Sequence, residues 1–264
     1  MKIAITGKGG VGKTTVAGLL ARSFAAKGYR VLAIDADPDA NLASALPIEG
    51  GARVVPLAAR SDLIARLSGR DGTLAEGVLL LNPDVGEILP EIRLFWGDGQ
   101  GLLVLGWHKR GGDGCYCAEN AVLRRVLTSV MPGPHDVVLV DSEPGLEHLS
   151  RGTPESADVI LAVVEPGQRS LETALSIRGL AHDLGIRRIH PVLCAPRSQT
   201  DIARVRQALG DWPLLAVVPF SEEIRAADLD GRPPEVDPAV AQAIEQLLVR
   251  LVGGAQGAAG KGLS

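Results

Sequence analysis

Apolar and polar positions along this chain follow two periods. Eight short runs are dominated by aliphatic residues: KIAIT (2–6), RVLAID (30–35), VLLL (78–81), LLVLG (102–106), DVVLVD (136–141), DVILAVVE (158–165), IHPVLC (189–194) and LLAVVP (214–219). Most are apolar on consecutive residues, which predicts strands buried on both faces of a parallel sheet. Between several of them the period changes to that of a helix. In residues 14–27, Val16, Leu19, Leu20 and Phe24 share a face. In residues 120–131, Val122, Leu123, Val126, Leu127 and Val130 do the same. Residues 170–184 and 200–209 predict further helices. Strand–helix alternation of this kind predicts one α/β unit, a doubly wound and mostly parallel sheet flanked by helices.

The best amphipathic pattern lies at 238–252, with Asp237 placed to cap it and Pro238 suited to its first turn. Its stripe of Val240, Ala243, Ile244, Leu247, Leu248, Leu251 and Val252 has little basic charge opposite it, so core packing is expected over a membrane anchor. One domain is expected over 1–252, and the Gly/Ala-rich segment 253–264 reads as a disordered tail. Residues 47–76 are the least patterned part and read as a loop or helical insertion.

Composition narrows the function. The chain has 264 residues, enough for a large core, and 46% of them are apolar. Its net charge of −4 argues against phosphate-driven nucleic-acid binding. No run is apolar enough to span a bilayer, and Met1 leads straight into the first strand without a secretory h-region; a cytoplasmic protein is expected. Three cysteines do not make a disulfide framework and point to metal binding or catalysis.

Residues 7–14, GKGGVGKT, match G-x-x-x-x-G-K-[ST] directly after a strand and before a helix. Gly7, Gly9, Gly10 and Gly12 let backbone N–H groups approach phosphate oxygens, and the helix N-terminus adds positive charge. Gly9, Gly10, Val11, Gly12, Lys13, Thr14 and Thr15 are the expected nucleotide-binding residues. Lys13 is expected at the β- and γ-phosphates and the Thr14 hydroxyl on Mg²⁺.

The extra lysine, Lys8, makes the loop KGGVGKT. This form resembles the deviant Walker A motif of the family containing MinD, ParA, the nitrogenase iron protein and metal-insertion ATPases. The resemblance implies that Lys8 crosses a dimer interface to the partner's ATP and takes part in its hydrolysis to ADP. It also implies roles for acids at strand ends. In DADPDAN (35–41), Asp37 matches the acid that orients the attacking water; Asp39 is a second candidate for Mg²⁺ or water, and Asp35 reads equally as structural. In DSEPG (141–145), Asp141 matches the Walker B acid near Mg²⁺, and Gly145 the glycine that senses the γ-phosphate. Pro144 before that glycine departs from the small residue that relatives carry. On the base side, Cys194 stands where relatives have an Asn, and Pro219 in VPFS resembles the loop beside the base. Cys194 itself reads as a small buried residue.

Cys115 and Cys117 flank one tyrosine in GGDGCYCAEN. Alternate residues of an extended segment point to one side, so both sulfurs can face one ion. A predicted helix starting near Glu119 would favour the thiolates, which select Zn²⁺, Cu⁺, Ni²⁺ or an Fe–S cluster. Two ligands are too few; His108 is a lesser candidate, and a twofold axis bringing four thiolates from two chains is the economical completion. With WHKRGGDGCYCAEN, IDADPDAN, GLEHLSRGT and LAVVEPG, the chain resembles CooC-type ATPases. That resemblance implies a homodimer holding Ni²⁺ (or Zn²⁺) between its subunits and carbon monoxide dehydrogenase as client. The rival expectations are a MinD/ParA-like positioning ATPase, which needs a membrane or DNA-binding face, and a carrier of electrons through a bridged cluster.

Overall fold

The computed structural model describes residues 1–37, 39–48, 54–68, 89–106, 126, 133–142, 157–183 and 185–259. The expected strand at 78–81 lies outside them, as does the expected helix at 120–131 apart from Val126, which is helical.

The strands are β1 (Lys2–Gly7), β2 (Arg30–Ala36), β3 (Arg93–Trp96), β4 (Gln100–Val104), β5 (Asp136–Ser142), β6 (Val159–Val164), β7 (Ile189–Cys194) and β8 (Ala216–Val218). They form one sheet in the order β3-β4-β2-β5-β1-β6-β7-β8. Every neighbouring pair is parallel except β3–β4. The antiparallel edge was not expected from the pattern: of the four residues RLFW only Trp96 is buried, and strand β3 is held through a tight turn at Gly97–Gly99. The Trp96 indole N–H donates to the Gly101 carbonyl at 2.9 Å, locking that hairpin.

The helices are α1 (Lys13–Ala26), α2 (Ser61–Ser68), the short α3 (Leu89–Ile92), α4 (Gln168–Asp183), α5 (Gln199–Leu209), α6 (Glu222–Asp230) and α7 (Pro238–Ala259). On one face of the sheet, Ile3, Ile5, Leu139 and Leu161 pack against Val16, Leu20 and Phe24 of α1 and Ile244, Leu247 and Leu251 of α7. On the other, Ile160, Ala162 and Val164 meet α4 and α5, while Ile34, Val138 and Val140 meet α2. Consecutive strand residues alternate between these two layers, which is why the central strands are apolar throughout.

The segment 47–76 takes up the helical form in its described part, and the last helix runs past its expected end. The poorly patterned stretch 47–76 contributes a buried turn and α2, with Leu57, Leu63 and Ile64 each below 5% exposed. Each such side chain stabilises the fold by roughly 1.5–3 kcal/mol on burial. The last helix does not stop at Val252 but continues to Ala259, since the glycines there weaken a helix without ending it. The Asp237 carboxylate caps it as expected, accepting the Val240 N–H at 3.0 Å. The stripe on α7 is spent on α1 and the sheet, and no helix among the described residues is long and apolar enough to cross a membrane.

Candidate nucleotide site

Strands β1, β2 and β5 end side by side, and the chain reverses its direction of winding at β1. Ligands of open α/β sheets bind at such a point, outside the carboxyl ends of the strands. A cleft of about 500 Å³ lies there, lined at one end by Gly9 through Thr15, Asp37 and Asp39.

The loop is shaped by two glycines. A Cβ on Gly7 would lie 2.3 Å from the Val163 carbonyl oxygen, so only glycine lets β1 end tight against β6. Gly12 stands before α1 at φ 95°, a left-handed conformation that L side chains resist. No side chain caps α1. The first-turn N–H groups therefore point into the cleft and can meet phosphate oxygens.

The charged groups converge behind the loop. The Thr14 hydroxyl donates to Asp141 Oδ2 at 2.7 Å. Lys13 is only 6% exposed; its Nζ lies 3.4 Å from the Lys8 carbonyl oxygen and 3.9 Å from Asp37 Oδ2. Asp37 Oδ1 accepts the Asp39 N–H at 3.0 Å, which folds the DADPDAN turn over the cleft. Asp141 is fully buried, and its Oδ1 has no hydrogen-bond partner among the described residues. Burial first, then the Asp35 carboxylate, pushes the Asp141 carboxyl up to about 7, although Thr14 and Lys13 pull the other way. A carboxylate oxygen without a hydrogen-bond partner beside a threonine hydroxyl is a donor set that suits Mg²⁺.

Asp35 has a different place. It is fully buried, accepting the Leu42 N–H at 2.8 Å and the Asp37 N–H at 3.2 Å, so it holds the turn that carries Asp37. Burial pushes its carboxyl up to about 6. Of the two readings its sequence position left open, the hydrogen bonds favour the structural one.

Arg225, Asp228 and Arg232 also line the cleft, and its opposite end has one apolar wall. Cys194, Ala195, Val218, Pro219, Phe220 and Ile224 line it. Cys194 is buried against Gly12, and burial pushes its thiol up to about 12, so it remains a neutral wall. The Arg197 guanidinium lies 3.9 Å from the Phe220 ring centroid. The Ser221 hydroxyl accepts the Ile224 N–H at 3.3 Å and caps α6. From α1, Arg22 donates to the Pro234 carbonyl at 2.6 Å, drawing the α6–α7 connection to the cleft.

The CobQ/CobB/MinD/ParA nucleotide-binding domain matches residues 2–234. The chain belongs to this family. Within it, the carbon monoxide dehydrogenase accessory protein CooC of Rhodospirillum rubrum is 42% identical over 233 residues, 88% of each chain. An ATP-binding protein of Methanocaldococcus jannaschii is 36% identical over 94% of this chain and 96% of its own. Among solved structures, the septum site-determining protein MinD with Mg-ADP from Pyrococcus horikoshii superposes with a TM-score of 0.65 at 23% identity, covering 96% of each chain. At that identity the likeness speaks for the fold.

In this MinD/ParA-type fold, the sequence-predicted Lys13, Thr14, Asp37 and Asp141 are brought together; Asp39 lies at the rim and Pro219 in the apolar wall. Gly145, Pro144, His108, Cys115 and Cys117 lie outside the described residues. Among the described residues no group of three or more His, Cys, Asp or Glu side chains could hold a metal ion. Sequence reasoning placed the VPFS loop, which carries Phe220, beside the base and missed Ile224 and Glu165 as cleft residues. A signal for Ile224 was present: SEEIRAADLDG has a serine cap, two acids in the first turn and a closing glycine, and so marks α6.

Proposed function

We propose that this protein is an ATP-dependent metallochaperone that dimerises with ATP and a metal ion and delivers nickel to the active-site cluster of carbon monoxide dehydrogenase. The observation that carries this is the 42% identity with the Rhodospirillum rubrum accessory protein over 88% of the chain. The CYC pair and the extra loop lysine, read independently from the sequence, fit it.

ATP lies with its phosphates on residues Gly9 to Thr15 and its base between Cys194 and the Pro219–Phe220 loop. Thr14 and Asp141 would hold Mg²⁺, with Asp39 at the rim; the ion, when bound, neutralises charge on the phosphate oxygens. Lys13 draws negative charge off the phosphates. Asp37 orients the water that attacks the γ-phosphorus, the new P–O bond forming as the bond to ADP breaks. Lys8 reaches the partner's nucleotide, so hydrolysis is tied to closure of the homodimer, and Gly145 follows the γ-phosphate. Cys115 and Cys117 of both chains give the cargo ion four thiolates. An ion bound only by the closed dimer must favour closure, and by reciprocity nucleotide must favour the ion. Hydrolysis lets the chains part and releases the ion to the client.

Metal content and mass in solution, without nucleotide and with ATP, test this on the wild type and on Cys115→Ser/Cys117→Ser. The expected result is one Ni²⁺ or Zn²⁺ per wild-type dimer and none in the double variant. Retention of one ion per dimer by the double variant overturns the assignment.

A further inference from the structure

Glu165 stands at the phosphate end of the cleft, where neither the loop motif nor the strand-end acids call for a carboxylate. Its Oε1 lies 3.9 Å from Lys8 Nζ, with the two side chains 41% and 38% exposed. Its position is built into the fold. Gly7 pairs with Val163 in the sheet, and the close approach there ties the end of β6 to the start of the phosphate loop. Two residues on, the Glu165 N–H donates to the Ser170 hydroxyl at 3.0 Å, and Ser170 is 1% exposed in the first turn of α4. The Glu165 carbonyl accepts the Gly167 N–H at 2.7 Å, closing the turn. Pro166 restricts the backbone of Glu165 further. The backbone of Glu165 is thus held beside its own chain's loop, and the Lys8 side chain is 38% exposed.

We infer that Glu165 holds Lys8 on its own phosphate loop in the single chain and so sets the threshold at which two chains close on nucleotide. This rests on Lys8 acting across the dimer. One ammonium cannot serve both places: to reach the partner's phosphates, Lys8 must leave Glu165. The carboxylate it leaves stays near the bound phosphates of its own chain, and like charges there disfavour departure. The pair is solvent-exposed and not short, so the restraint is weak. A weak restraint suits a switch, because nucleotide in the partner chain can overcome it.

The test is the dimerisation constant with Mg²⁺ and a slowly hydrolysed ATP analogue, measured by sedimentation velocity on the full chain. Glu165→Gln is expected to tighten dimerisation about two- to five-fold at low salt. The gain should shrink at high salt, as screening weakens the pair in the wild type. In a Lys8→Ala background, Glu165→Gln should change nothing, because the group it restrains is gone. Unchanged or weaker dimerisation of Glu165→Gln overturns the inference. So does an equal gain in the Lys8→Ala background, which would mark a general effect of charge on nucleotide affinity. The underlying role of Lys8 fails separately: Lys8→Ala alone would then dimerise and hydrolyse ATP like the wild type.

Discussion

The two ends of the cleft recognise by different means. The phosphate end is made of consecutive residues, Gly9 to Thr15, joined by carboxylates from the ends of two neighbouring strands. Its recognition groups are backbone N–H donors and buried charges, held where a few tenths of an ångström matter. The base end is collected from the ends of β7 and β8 and the first turn of α6. One of its walls is apolar, with an aromatic ring braced by the Arg197 guanidinium. Charge and backbone geometry tolerate almost no substitution. Apolar contact is graded, since it scales with area rather than with alignment.

That contrast orders the expected effects of substitution. Lys13→Ala removes the one cation buried at the phosphate end among the described residues. ATP hydrolysis is expected to fall by about 10²–10³ in kcat, with thermal unfolding little changed. A fall of less than about tenfold in a phosphate-release assay would place the charge stabilisation elsewhere. Gly7→Ala tests the backbone half of the same end. Its Cβ would meet the Val163 carbonyl oxygen at 2.3 Å, so β1 and β6 must separate. A loss of about 2–4 kcal/mol in urea unfolding is expected, with nucleotide binding falling alongside. An unchanged midpoint would mean that the loop is not tied to β6. Phe220→Ala is the smallest change. ATP affinity is expected to fall about tenfold, and the affinity for inorganic triphosphate to stay as it is. Equal losses for both ligands would end the division of the cleft into two modes.

The parts legible in the sequence share one property. The phosphate loop is a local object: eight neighbouring residues set its turn, its donors and its helix start. Asp141 stood out as an acid closing an apolar strand and Asp37 through the family resemblance of DADPDAN, and strands in a parallel sheet end on the same side. Ile224 and Glu165 escaped because nothing local connects them to the loop; only the order of β6, β7 and β8 brings them there. The Cys115–Cys117 motif was legible as chemistry, and its proposed completion belongs to a second chain.

By itself the sequence determined the layer architecture, the phosphate loop and the acids that face it. Periodicity and short motifs are properties of neighbouring residues, and hydrophobic burial and hydrogen bonding act on them in any fold that forms. Tertiary structure alone decided the antiparallel edge at β3, the burial of α2, the docking of α7 on α1 and the pairing of Lys8 with Glu165. Each joins segments far apart in the chain. Their contacts depend on which strand lies next to which, and no local pattern of residues encodes that order.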